Sequence, residues 1–132
     1  MKRSLTFLFF LGSTALLPRA AAADVITDCT RVIRFLPVTI NNPGIYCLES
    51  NESTSITTGA AITVNANDVT IDLKGHKIDG SAAGAGTLTL GVSAVNRRGL
   101  TVRNGRIRGF FRGVETTGTG TVIEDQIGRA HV

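Results

Sequence analysis

Tryptophan is absent from this 132-residue sequence, and tyrosine and methionine each occur once. So few rings leave no aromatic platform on which nucleic-acid bases could stack. The two cysteines and two histidines stand at positions 29, 47, 76 and 131, and none of these intervals is the spacing of a Cys/His metal set. No Gly-rich phosphate loop and no nucleophile elbow appears. After residue 17 no run is long and apolar enough to span a bilayer. Long amphipathic stretches at helical spacing are missing too. What remains is rich in Gly and Thr, with short alternating apolar runs from Ala61 onward, separated by Gly, Asn and Asp. That is an all-β pattern.

The N-terminus is of a different kind. Lys2 and Arg3 precede thirteen apolar-rich residues, Leu5 to Leu17, and Ala20 to Ala23 supply small-residue cleavage choices. This is the layout of a secretory signal peptide over residues 1–23. The apolar run is shorter than the roughly 20 residues a transmembrane helix needs. The mature chain is therefore expected to be secreted, periplasmic or at the cell surface, with no membrane span once the signal is removed. The net charge of +4 then loses its meaning: without Lys2, Arg3, Arg19 and the tail residue Arg129, ten basic residues face ten acidic ones. A neutral body gives no reason to expect nucleic acid as a partner. In an exported chain, Cys29 and Cys47 are expected to form a disulfide rather than bind metal, since no His or second Cys pair accompanies them.

The alternating runs repeat. Ile62/Val64, Val69/Ile71/Leu73 and Ile78 are matched by Val92/Ala94, Leu100/Val102 and Ile107, at offsets of 30, 31 and 29 residues. A partial third copy runs from Gly113-Val114 to Thr121–Asp125 at offsets of 21 or 22. One copy cannot bury its apolar side by itself, but stacked copies can, each aliphatic position resting on its equivalent. Three short strands per copy thus predict a right-handed parallel β-helix (solenoid), with Ser81 to Leu90 as an outward excursion. Asn65 and Asn96 are expected at equivalent corners, where Asn tolerates left-handed backbone. A β-sandwich is the alternative.

Residues Ala61 to Gly80, with "VTIDLKGHKIDG", and Gly91 to Gly109, with "GLTVRNGRIRG", resemble the repeats of right-handed parallel β-helix proteins of the pectate lyase-like superfamily. "PVTINNPGIYCL" (Pro37 to Leu48) resembles the unit that covers their N-terminal opening. The resemblance implies a cap and entry strand over residues 24–60 and β-helix coils over residues 61–125. Because that superfamily includes lyases, hydrolases, epimerases and non-enzymatic surface proteins, the resemblance implies a fold rather than an activity. The last residues suggest an artefact. Ile127 to Val132 can be encoded by ATC GGA AGA GCA CAC GTC, a common sequencing adapter, so residues 126–132 are expected to be read-through and the coils truncated.

Candidate chemistry is sparse. Asp68, Asp72, Asp79, Glu115, Glu124 and Asp125 could bind Ca²⁺ or act as acid and base only if they paired across coils. The equivalents of Asp72 and Asp79 are Arg103 and Arg108, so cross-strand ion pairs are expected instead, with no metal site in this fragment and Ca²⁺ left to the full-length protein. Arg97, Arg98, Arg103, Arg106, Arg108 and Arg112 fall in a stretch without acids. Arg103, Arg106 and Arg108 should point outward and are the candidate substrate-binding residues, since arginine forks match carboxylates. The partner they imply is an acidic polysaccharide. His76 reads as a turn residue, and Asn51-Glu52-Ser53 is a glycosylation sequon. The expected function is a glycan-contacting or structural surface protein. The alternative is a polysaccharide-modifying enzyme (lyase, C5-epimerase or glycoside hydrolase) with its catalytic coils missing, so enzymatic activity stays open.

Overall fold

The structure, a computed structural model, describes residues 29–128. The expected signal peptide, the first five residues of the expected cap and the final four residues lie outside the described residues. The strands are β1 (Arg31–Ile33), β2 (Val38–Ile40), β3 (Gly44–Leu48), β4 (Glu52–Ser53), β5 (Ala60–Val64), β6 (Val69–Asp72), β7 (Lys77–Asp79), β8 (Leu90–Ala94), β9 (Thr101–Arg108), β10 (Arg112–Thr116) and β11 (Val122–Gly128). One 3-10 turn, Ser81–Ala83, begins the excursion between β7 and β8. No helix among the described residues is long and apolar enough to cross a membrane.

All strand pairings among the described residues are parallel. The four-stranded sheet runs β10-β8-β5-β2 and puts Val38, Ile62, Val92 and Val114 side by side in succession. In the seven-stranded sheet, Tyr46, Ile71, Val102 and Ile123 follow one another in the same way. A third row joins Glu52, Ile78 and Ile107. The pairs Ile62 with Val92, Ile71 with Val102 and Ile78 with Ile107 reproduce the offsets of 30, 31 and 29 that the sequence shows. Val92 with Val114 and Val102 with Ile123 reproduce the shorter 22 and 21. The antiparallel pairing that defines a β-sandwich does not occur among these strands.

β9 is eight residues long because it spans two of the rows. Thr101 to Arg103 pair with β6, and Arg106 to Arg108 pair with β7. Between them Asn104 takes φ +63° and turns the chain. Gly105 follows because a Cβ there would collide with the Leu73 side chain and the His76 carbonyl. The parallel rows also begin earlier than the alternation does. β2, β3 and β4 already make a layer paired to the next one. Asn41-Asn42-Pro43 and Glu49 to Asn51 interrupt that layer, which hides its period.

The interior is aliphatic. Ile62, Val69, Ile71, Leu73, Ile78, Val92, Val102, Ile107 and Val114 have no exposed surface, and Leu100 has 1 %. Burying each such side chain is worth about 1.5–3 kcal/mol, and together they supply the drive for stacking. The corners differ in one respect from the sequence expectation. Left-handed backbone occurs at Asn96 and at Asp68, whereas Asn65 is not left-handed and stacks its amide on Asn41 at 3.5 Å.

Cys29 and Cys47 form a disulfide, as expected, tying the start of the described chain to β3. The bond closes a loop 18 residues apart in sequence. On chain-entropy grounds it contributes about 3 kcal/mol at most. Mild reduction is expected to lower the urea midpoint by the equivalent of about 2 kcal/mol, and the Cys29→Ser/Cys47→Ser protein should match the reduced one. A midpoint insensitive to reductant would show that the loop is fixed by packing alone.

Candidate functional site: a charged outer face and two grooves

On the outer side of β6 and β9, the register sets Asp72 beside Arg103. Asp72 is 1 % exposed although the alternation puts it on the outward side. Its Oδ2 accepts the Nε–H of Arg103 at 3.0 Å, and the ammonium of Lys74 lies 3.6 Å away. Its Oδ1 accepts the Lys74 backbone N–H at 2.9 Å and the Asn104 amide at 3.2 Å. Burial alone would raise its pKa. The hydrogen bonds from Lys74, Asn104 and Arg103, with the Lys74 charge, outweigh burial and hold it below the usual value.

On the adjoining row, Asp79 faces Arg108 across β7 and β9. Its carboxylate accepts the Ser81 N–H at 2.9 Å, with Arg108 Nε at 3.3 Å and Lys77 Nζ at 3.7 Å. Hydrogen bonds from Ser81 are the main cause of its lowered pKa, and the two cations add to them. The ion pairs expected from the offsets therefore form, Asp72 with Arg103 and Asp79 with Arg108.

The three candidate arginines are not equivalent. Arg103 is bound to a buried carboxylate and lies across the Asn104 corner from the others. Arg108 is half engaged, its side chain 53 % exposed beside Asp79. Arg106 is exposed and has no ion pair among the described residues. It stands directly opposite Lys77. Like charges in register repel, and the facing segments Lys77 to Asp79 and Arg106 to Arg108 carry three cations and one carboxylate, Asp79.

Arg108 also lines an open groove of about 620 Å³ between the excursion and the turn into β10. Gly84, Ala85 and Gly109 keep its walls low, and no carboxylate lines it. Phe110 is packed on Gly80, while Phe111 stays 41 % exposed with the Arg112 guanidinium 4.9 Å from its ring centre. Arg112 is paired with Glu115 at 2.9 Å. Sequence reasoning missed this groove. The Phe110-Phe111 pair beside a Gly-rich excursion is the signal that could have pointed to it.

The remaining candidates have backbone roles. His76 donates its N–H to Leu73 and accepts that of Arg106 through its carbonyl. The Asn51 side chain of the sequon accepts the Lys77 N–H at 3.0 Å. No group of three or more His, Cys, Asp or Glu suited to a metal ion occurs among the described residues.

Fold and site together define an all-β chain of parallel sheets, with a disulfide tying Cys29 to β3 and a cation-rich outer row. A scan of protein-family models, a search of curated proteins and a search of solved structures each give no match to this chain.

Proposed function

We propose that this is an exported right-handed parallel β-helix protein of the pectate lyase-like kind that contacts acidic glycan at the cell surface. The recurring parallel register supports the helix, because each aliphatic position meets its equivalent one copy later. The disulfide is compatible with an oxidising compartment. The binding reading is carried by one observation: Lys77 and Arg106 stand side by side on neighbouring strands, their repulsion only partly offset by Asp79. A uronate chain running along the stacked row would supply the missing negative charge, with Arg106 and Arg108 offering forked donors to carboxylates. The groove beside Arg108 gives a sugar ring somewhere to lie, and its lack of lining carboxylates favours holding a glycan over cleaving one.

Titration calorimetry with galacturonate or guluronate oligosaccharides tests this. Lys77→Gln/Arg106→Gln is expected to weaken binding about tenfold or more, the loss of two charge-assisted contacts. Arg103→Gln should leave affinity nearly unchanged, since Arg103 is committed to Asp72. Absence of binding by the unaltered chain, or equal losses for both variants, would sink the proposal.

A further inference from the structure

A second group of cations lies at the corners that precede β6 and β9 and follow β10. Asn67, Asn96, Arg97, Arg98, Thr117 and Thr119, from three successive layers, surround an open cavity of about 360 Å³. Its lining includes two arginines and no Asp or Glu. The amide oxygens are already used by the fold. Oδ1 of Asn67 accepts the Arg98 N–H at 3.0 Å, and Oδ1 of Asn96 accepts the Thr117 hydroxyl at 3.3 Å. The Thr117 oxygen in turn accepts the Asn96 N–H at 2.8 Å. The amide nitrogen of each asparagine, a donor, has no hydrogen-bond partner among the described residues. Nε of Arg97 is the one buried side-chain nitrogen or oxygen among the described residues without a hydrogen-bond partner. The Arg97 carbonyl lies so close to Gly118 that a Cβ there would overlap it, so the two turns are packed backbone to backbone.

Two arginines and two asparagine amide nitrogens in a lining without carboxylate favour an oxyanion over a cation. We infer that this corner binds an oxyanion of the sulfate or phosphate class, free or as a sugar ester. The site is separate from the Lys77–Arg106 row and does not depend on the uronate reading.

The experiment follows the Nε–Hε resonance of Arg97 in the full chain by nitrogen-15 NMR, assigned through its own backbone and by its loss in Arg97→Lys. Probes are sodium sulfate, sodium phosphate, glucose 6-sulfate and glucose 6-phosphate, against sodium chloride at matched ionic strength. A saturable shift with at least one oxyanion, absent with chloride and retained in Lys77→Gln/Arg106→Gln, is the expected result. Tighter binding of the esters assigns the anion to a sugar, and tighter binding of the inorganic ions assigns it to the free form. If Arg97→Lys fails to fold, Arg98→Gln is expected to weaken the same saturable response. No saturable shift with any probe, an equal response to chloride, or loss of the response in the Lys77/Arg106 variant overturns the inference.

Discussion

Ile71→Ala is expected to destabilise the chain by about 4 kcal/mol, in the upper part of the range for buried Ile-to-Ala changes. Ile71 has no exposed surface and sits between Tyr46 on one neighbouring strand and Val102 on the other. Removing three carbons there opens a void that stacked, hydrogen-bonded strands cannot close by sliding, because a slip along one strand would break its register with both neighbours. The control is Thr70→Ala, one residue earlier and half-exposed on the outer side, which should cost under about 1 kcal/mol. Urea unfolding of the two variants reads the difference. Equal losses would mean that inside and outside have been assigned wrongly along β6.

Asp72→Ala is the second large effect, with an expected loss of about 3 kcal/mol at neutral pH, the scale for breaking a buried pair from one side. The carboxylate receives the Lys74 N–H, the Asn104 amide and the Arg103 guanidinium, so its loss leaves three donors to find water at a covered site. Arg103 is one-third exposed and regains some hydration, which keeps the loss at the lower end. The same site sets an acid limit. Because the folded pKa lies below the ordinary carboxylate value of 3.8, the contribution of Asp72 is complete above that value. It disappears as pH falls through the lower folded value. Asp79 acts in the same direction and window. Stability is therefore expected to be flat near neutrality with respect to these two groups and to fall below about pH 4. Asp72→Asn should start lower and fall less steeply. An Asp72→Asn chain that loses stability on acidification as steeply as the unaltered one would show that Asp72 does not carry this dependence.

These effects trace back to features legible in the sequence. The aliphatic positions recur at 30, 31 and 29 residues, and each pairs with its equivalent. The opposition of Asp72 to Arg103 and of Asp79 to Arg108 follows from those same offsets, because charges at matched outward positions must meet. The layer of β2, β3 and β4 was less legible. Its strands have three, five and two residues, too short to show a period. The outer arginines were legible as outward-facing but not as individuals. Only coordinates show that Arg103 is bound behind the Asn104 corner while Arg106 stands unpaired opposite Lys77 among the described residues. The groove beside Arg108 and the corner at Arg97 depend on how an excursion and three turns fold back, which side-chain period does not encode.

The neighbours of one residue test the parallel register most directly. Thr101 lies between Thr70 and Val122, both pairings parallel. In a nuclear Overhauser spectrum of the labelled chain, backbone protons of Thr101 are expected to show contacts with residues 69–72 on one side and 122–124 on the other. Strong Hα–Hα peaks across either pair, the mark of antiparallel strands, should be absent. Such peaks, or contacts from Thr101 to neither segment, would contradict the stacked parallel arrangement and the ion-pair assignments built on it.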